Sequence, residues 1–417
     1  MILNSHVRFA DTTSNKSRFT DFYSKLMERM TSEMLKKFSV KNYKNFKEEI
    51  TIDFSAIAGY QFSTDCIADN YISKMLIYGR NATGKTNLGR AITDIAYTAS
   101  PYPFRSPYNG ILLNADSHED AARFSYTFDF DGREVLYQYE RFGNQTLKSE
   151  MLMVDGTVIF MCDFSVPRFH FENLGCIQAE TANTEIYKNS LAEKINDDEE
   201  RGDGEILPFL RWLINNMASE SNSILMGMEY FSRRMVMTTA NDKMRIRAFS
   251  SSFYDSLEDP ERLKDLEEFL NAMGIECRLE WRKLPEGHGQ LYFAHEKLVP
   301  FECASSGTMA LVELYRRFFY RTVEPSLMYL DEFDAFYHYE MSDNVIRFIK
   351  KKYPRCQVIM TTHNTNLMAN KLMRPDCVFI LSRSGKLTAL CNATERELRE
   401  GHNLEKMYIS GEFERYE

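Results

Sequence analysis

The sequence has no CxxC pair among its eight cysteines, no apolar run long enough to span a membrane, no internal repeat and no low-complexity tract. Each lack excludes something. Without paired spacing, Cys66, Cys162, Cys176, Cys277, Cys303, Cys356, Cys377 and Cys391 read as reduced, mostly buried thiols rather than disulfide partners or zinc ligands. A helix needs about 20 apolar residues in succession to cross a bilayer, so no membrane segment is expected. The opening residues also lack the basic and apolar regions of a signal peptide, and a cytoplasmic location is expected. There are no sustained heptads, which excludes a long coiled-coil arm. Positive charge is in deficit, with a formal net charge of −9. That balance argues against a surface that grips nucleic acid everywhere, but leaves room for a local basic groove. What the 417 residues do supply, with 44% hydrophobic and 27% charged content, is enough for one large core or two to three modest ones.

The most informative short stretch is MLIYGRNATGKTNLGR, Met75 to Arg90. Gly79, Gly84, Lys85 and Thr86 fit GxxxxGK[ST], and the stretch lies between an apolar strand-like run and a helix-like run, which is the context this motif requires. Backbone N–H groups of Gly79, Asn81, Gly84 and Asn87 are candidates to cradle phosphate. Lys85 would neutralise β- and γ-phosphate charge, and the Thr86 hydroxyl would ligate Mg²⁺. The predicted ligand is a nucleoside triphosphate with Mg²⁺. The loop by itself does not separate a kinase, a GTPase, a helicase or an ABC-type ATPase.

Around the loop the chain divides into an N-terminal extension (1–33), a lobe with the loop and a β-rich subdomain (34–180), a helical insertion (181–275) and a C-terminal lobe (276–417). From Leu35 the pattern alternates as two short strands would. Asp131-Gly132 and Asp155-Gly156 each separate alternating runs and predict hairpins. A helical region is expected from about Thr181 to Asn271, with a polar break at NDDEERGDGE. CRLEWRKL and GQLYFAHEKL then predict a further strand pair.

Three later motifs bear on chemistry. Apolar Leu327 to Leu330 feeds Asp331 and Glu332: an acidic residue ending a buried strand can hold the Mg²⁺ shell, here Asp331, and the adjacent Glu332 can orient and polarise the attacking water. A second strand ends in Thr361, Thr362 and His363, and a histidine at that edge lies where ligands of α/β sheets collect, although a lone histidine is more often structural. Ser305, Ser306 and Gly307 open an amphipathic helix and offer donors to an anion. Taken alone, they are equally well a helix cap.

The order of loop, long insertion, Ser-Ser-Gly helix, Asp-Glu strand and histidine strand resembles the ABC-type ATPase heads of the SMC, RecF and OLD group. The resemblance is closer to OLD-like abortive-infection proteins of phage defence. It is carried by LKKFSVKNYKNF, GRNATGKTNL, SSGTMAL, LDEFDAFYH, TTHNTNLM and NLEKMYISGEF. It implies an α/β P-loop NTPase head with an antiparallel β subdomain and a compact helical insertion. It also implies head-to-tail dimers, or higher oligomers, that sandwich two ATPs. Ser305 then takes the place of the signature serine, Ser306 and Gly307 that of paired glycines, and Thr308 that of a glutamine, while Asp334 sits in the loop crossing to the partner. Related chains usually continue with Ser, Leu, His and Pro, whereas Ala335, Phe336, Tyr337, His338 and Tyr339 give a bulkier edge here. The usual glutamine loop has no clear counterpart, since Gln138 reads as a solvent-facing strand residue.

OLD proteins carry a nuclease domain after the ATPase, but only 54 residues follow His363 here, and the last strands of the head must come from them. The expectation is an ATPase without an effector of its own: a nucleotide-gated switch whose partner is an operon-encoded nuclease or toxin. The alternative is a DNA-binding repair ATPase of the RecF or SMC kind, for which nucleic acid is the partner. Its candidate contacts are Arg233, Arg234, Lys243, Arg245 and Arg247, flanked by Tyr230 and Phe231.

Overall fold

The computed structural model describes residues 33–99, 112–143, 146–198, 206–217, 223–239, 251–285, 287–320, 323–335 and 339–417. The chain forms two compact units. One comprises Met1–Phe38, Ile95–Leu112 and Asp120–Arg233, the other Ser39–Asp94, Leu113–Glu119 and Arg234–Glu417.

The first unit is built on an antiparallel meander of Ala121–Phe130, Arg133–Phe142, Leu147–Val154, Thr157–Asp163 and Arg168–His170, with Glu33–Lys41 beside its first strand. Burial alternates along these strands, as it must when one face meets a core. Both Asp-Gly pairs make the expected two-residue turns. Asp131 and Gly132 have φ of 53° and 83°, Asp155 and Gly156 of 49° and 80°. Two successive positive φ values are the demand of the hairpin turn that matches strand twist, and Asp-Gly meets it at low cost. Helices Thr184–Asp198, Phe209–Met217 and Ser223–Arg233 follow. Phe209 packs edge-on to Phe160, and Phe231 edge-on to Phe128.

The second unit holds a six-stranded sheet in the order Val236–Thr238, Leu327–Leu330, Gln357–Thr362, Lys74–Tyr78, Val378–Leu381, Leu387–Ala389. Its first five strands are mutually parallel and the last is antiparallel. Every residue of the four central strands is buried, the mark of a parallel sheet covered on both faces. This is the expected α/β P-loop NTPase architecture. The strand pair after the insertion is also present, as Leu279–Lys283 and Gly289–Ala294, joined by a short third strand, Leu298–Pro300. Asp259 caps helix Pro260–Ala272 by accepting from Glu261 N, with proline at the first position, where a missing N–H costs nothing. Phe269 on that helix meets Tyr315, Phe319 and Phe348, an aromatic core under the sheet's helices.

The region expected to be helical between Thr181 and Asn271 contains a strand. Val236–Thr238 pairs in parallel with Met328–Leu330, and Thr238 O accepts from Asp331 N at 2.9 Å. Its partner lies about 90 residues further along the chain, so no local pattern marks it. Helix Thr184–Asp198 also runs through the first residues of the expected polar break, and residues 199–205 lie outside those described. All eight cysteines are free: Cys66, Cys162, Cys356 and Cys377 are buried, Cys277 and Cys391 half-buried, but Cys176 and Cys303 are exposed, so burial is less general than expected.

Candidate functional site

Parallel strands deliver their following loops to one edge of the sheet, and that edge gathers the phosphate loop after Tyr78, Asp331 and Glu332 after Leu330, and His363 after Thr362. The acidic strand is not beside the loop strand. The histidine strand runs between them, pairing Thr362 with Tyr78 on one side and Met360 with Leu330 on the other.

Within the loop, Gly79 is a steric requirement: a Cβ there would lie 2.8 Å from Thr83 Oγ1 and 2.9 Å from Leu381 O. Gly84 has φ of 101°, where side chains are strained, and opens helix Lys85–Ile92. The Thr83 hydroxyl donates to Arg80 O at 3.0 Å. Lys85 is buried, and its Nζ donates to Gly79 O at 2.7 Å and to Arg80 O at 3.2 Å. Burial pulls the Lys85 ammonium below its ordinary pKa, while the Glu332 and Asp331 carboxylates push it back up. Asn81 is exposed at the loop tip, and Asn87 Nδ2 donates to Asn45 Oδ1.

The acidic and histidine motifs converge on this lysine and its neighbour. Thr86 Oγ1 donates to Asp331 Oδ2 at 2.6 Å, bridging positions 245 residues apart. Lys85 Nζ stands 2.9 Å from His363 Nε2. An ammonium only donates, so in this arrangement the facing ring nitrogen accepts and the ring proton sits on Nδ1. Glu332 Oε1 is 3.6 Å from the same Nε2, beyond hydrogen-bond reach. Glu332 itself has φ of 48°, an uncommon backbone for a residue with a long side chain.

The sequence reading assigned no role to Thr361. Its buried hydroxyl donates to Asp331 Oδ1 at 2.8 Å and accepts from Glu332 N at 2.8 Å, so one side chain aligns both acidic residues. Thr362 Oγ1 likewise donates to Asp334 Oδ2 at 2.6 Å. Burial raises the Asp334 carboxyl above its usual range, and this hydroxyl partly offsets the effect. The tyrosine inside the acidic strand, Tyr329, donates to Lys85 O and ties the start of the loop helix to that strand. A hydroxyl and a carboxylate oxygen side by side suit Mg²⁺, which takes one or two protein oxygens and fills its shell with phosphate and water.

Ser305, Ser306 and Gly307 stand apart. Ser305 caps helix Ser306–Phe318, its Oγ accepting from Thr308 N at 3.1 Å. All three are exposed, and among the described residues no hydrogen bond joins them to Lys85, Thr86, Asp331, Glu332 or His363. A Cβ on Gly307 would meet only Ser305 Oγ, at 3.7 Å. Gln138 is half-buried in the meander, opposite Ser125 and Met151.

Of the basic cluster, Arg233 and Arg234 lie among the described residues. Tyr230 and Phe231 are buried and cannot stack on a nucleic acid. Arg233 pairs with Glu229 at 3.1 Å, and Arg234 donates to Glu324 O at 3.0 Å. Lys243, Arg245 and Arg247 lie outside the described residues, as do Phe336, Tyr337 and His338.

Sheet order and loop together are those of a P-loop NTPase fold. Residues 188–369 match the family model described as "AAA domain, putative AbiEii toxin, Type IV TA system". Solved structures similar to the chain include an SMC head bound to the C-winged helix domain of ScpA, at 15% identity and a TM-score of 0.44 over 83% of this chain and 93% of that one. The SMC head domain from Thermotoga maritima is similar at 16% identity and a TM-score of 0.42, over 83% and 94%. An Smc head with an extended coiled coil, derived from Pyrococcus furiosus and bound to the C-terminal domain of ScpA, is similar at 15% and 0.42, over 92% and 100%. No curated protein matches the chain.

Proposed function

We propose that this protein is an ATPase that closes head to tail around two ATP·Mg²⁺ and thereby gates a separate effector, a nuclease or toxin, in defence against phage. The observation that carries the reading is the convergence of Lys85, Thr86, Asp331, Glu332 and His363, joined by the Thr86–Asp331 and Lys85–His363 contacts. In this reading the loop amides and Lys85 bind the β- and γ-phosphates, and Thr86 and Asp331 hold Mg²⁺, which neutralises phosphate charge. Glu332 takes a proton from the attacking water, and His363, released from Lys85, faces the γ-phosphate. Ser305, Ser306 and Gly307, exposed and unconnected to this site in their own chain, serve the nucleotide of the partner. The toxin–antitoxin wording of the matching family model supports an effector in the same system. With Tyr230 and Phe231 buried, no particular observation favours the DNA-repair alternative.

The test is a pair of variants. Lys85→Ala is expected to lose ATP binding by calorimetry. Glu332→Gln is expected to bind ATP, stop hydrolysing it and sediment as a dimer, because the water loses its base while both Mg²⁺ ligands remain. Wild-type affinity in the first, or wild-type turnover in the second, would sink the site. Pull-down of Glu332→Gln with ATP then separates the roles: a stoichiometric protein partner supports the gated effector, and nuclease-sensitive DNA without one points to repair.

A further inference from the structure

The phosphate loop is tied to a segment more than 300 residues away. Arg80, the second residue of the loop, donates from Nε to Glu417 Oε2 at 2.8 Å, and its Nη2 forms an ion pair with the same oxygen at 2.6 Å. The two ends of this pair differ in their surroundings. The Arg80 side chain is 52% exposed, that of Glu417 14%. Glu417 is also held through its backbone: its O accepts from Arg383 N at 2.9 Å, just past strand Val378–Leu381, which flanks the loop strand. Burial and the Glu417 carboxylate raise the Tyr408 hydroxyl pKa above its ordinary value, and the Tyr408 ring packs on Tyr78 with centroids 6.2 Å apart. Tyr78 is the residue before Gly79, and its hydroxyl donates to Asn364 O at 3.0 Å, one residue past His363. The segment from Asn403 to Glu417 therefore touches the loop at Arg80 and packs on Tyr78, the end of the loop strand, which pairs with Thr362 at the end of the histidine strand.

What this anchor does follows from the other end of Arg80. Its carbonyl accepts from Lys85 Nζ at 3.2 Å and from the Thr83 hydroxyl at 3.0 Å. Those bonds aim the lysine and shape the cradle. A loop held open by its own backbone bonds costs less to order around a ligand than one that must be gathered on binding.

We propose that Glu417 is a positioning residue of the nucleotide site: by holding the Arg80 guanidinium it fixes the Arg80 carbonyl, and so pre-sets Lys85 and the loop amides for the phosphates of a nucleoside triphosphate. The inference rests on the reading of the loop as an ATP site. Glu417 touches no phosphate and contributes no chemistry, so its loss acts on binding and leaves the chemical step alone.

The experiment uses the full chain with ATP·Mg²⁺ and ADP·Mg²⁺. Glu417→Gln and Arg80→Gln are each expected to weaken both nucleotides about fivefold, the scale of a half-exposed ion pair, because the β-phosphate is common to the two. KM for ATP rises by the same factor while kcat stays within twofold, and the melting temperature without nucleotide changes by less than the shift seen with saturating ADP. The charge exchange Arg80→Glu with Glu417→Arg is expected to recover most of the affinity. Unchanged KM in both single variants overturns the proposal. So does a fall in kcat at constant KM, or failure of the exchange to recover binding that the single variants lost. If the unaltered protein itself binds neither nucleotide, the ATP reading fails and takes this inference with it. Loss in the single variants alone, against a normal wild type and a dead Lys85→Ala, isolates the anchor.

Discussion

At the scale of single residues, the site depends on side chains that touch no substrate in any of the roles proposed. Thr361 is the plainest. Its hydroxyl spans Asp331 Oδ1 and Glu332 N, and it is fully buried, so water has no room to replace it. Thr361→Val keeps the shape and removes both bonds, leaving a carboxylate oxygen and an N–H without their partner. Outer partners of metal ligands typically matter by about 10- to 100-fold in metal affinity or activity. The expected result is a higher Mg²⁺ requirement and a fall of that order in kcat, with Thr361→Ser restoring most of both. An unchanged Mg²⁺ dependence in Thr361→Val would show that Asp331 is aligned by other means. The sequence places Thr361 two residues before a candidate histidine but contains nothing to link it with Asp331, 30 positions earlier. The loop motif was legible because its residues are neighbours in the chain; Thr361 and Arg80 act through partners that are not.

At the scale of elements, legibility follows the range of the forces involved. The two Asp-Gly hairpins were readable because a two-residue turn with positive φ is a local demand that few dipeptides satisfy. Val236–Thr238 was not, since three residues become a strand there only because Met328–Leu330 arrives alongside. The start of helix Phe209–Met217 belongs to the same hidden class. It is capped by Glu150, from strand Leu147–Val154, whose carboxylate accepts from Phe209 N, from Leu210 N at 3.4 Å and from the Tyr137 hydroxyl at 2.9 Å. Burial nonetheless dominates and pushes the Glu150 carboxyl up to about 7 from an ordinary 4.5. Between those two values the folded chain retains a proton that the unfolded chain has released, so stability falls as pH rises through the window and the full cost stands above it. On that shift the cost is on the order of 3 kcal/mol. Glu150→Gln carries no charge to desolvate, and its resistance to urea is expected to be flatter than wild type between pH 5 and 8. Protection of the Phe209–Met217 amides in hydrogen exchange should show the same difference. Parallel pH profiles for variant and wild type would mean that the carboxyl is not protonated in the folded unit.

At the scale of the whole molecule, the question is why the third motif does not join the other two. Ser305 and its neighbours form a sound helix start, but their hydrogen bonds are spent within that first turn and their outer face is open. In the proposed head-to-tail dimer, a second copy of the chain would cover both the exposed serines and the open space over Gly307. The idea can be separated from ordinary loss of folding. Ser305→Arg should bind ATP as the wild type does, since the loop is untouched, and lose about 1 kcal/mol of stability with the cap. It should fail to dimerise with ATP and fail to hydrolyse it. Lys85→Ala should be equally inactive for the opposite reason. Mixed in equal amounts, the two variants form hybrids in which the intact loop of the Ser305→Arg chain faces the intact serine of the Lys85→Ala chain, while the second site carries both defects. Half of randomly formed dimers are such hybrids and each has one working site of two, so about a quarter of wild-type hydrolysis should return. If each site lay within one chain, every site in the mixture would carry a defect, and no activity would return however long the variants were equilibrated. Recovery in the mixture is thus the reading that assigns Ser305 to the partner's nucleotide, and a mixture as silent as its components would confine Ser305 to its role as a cap.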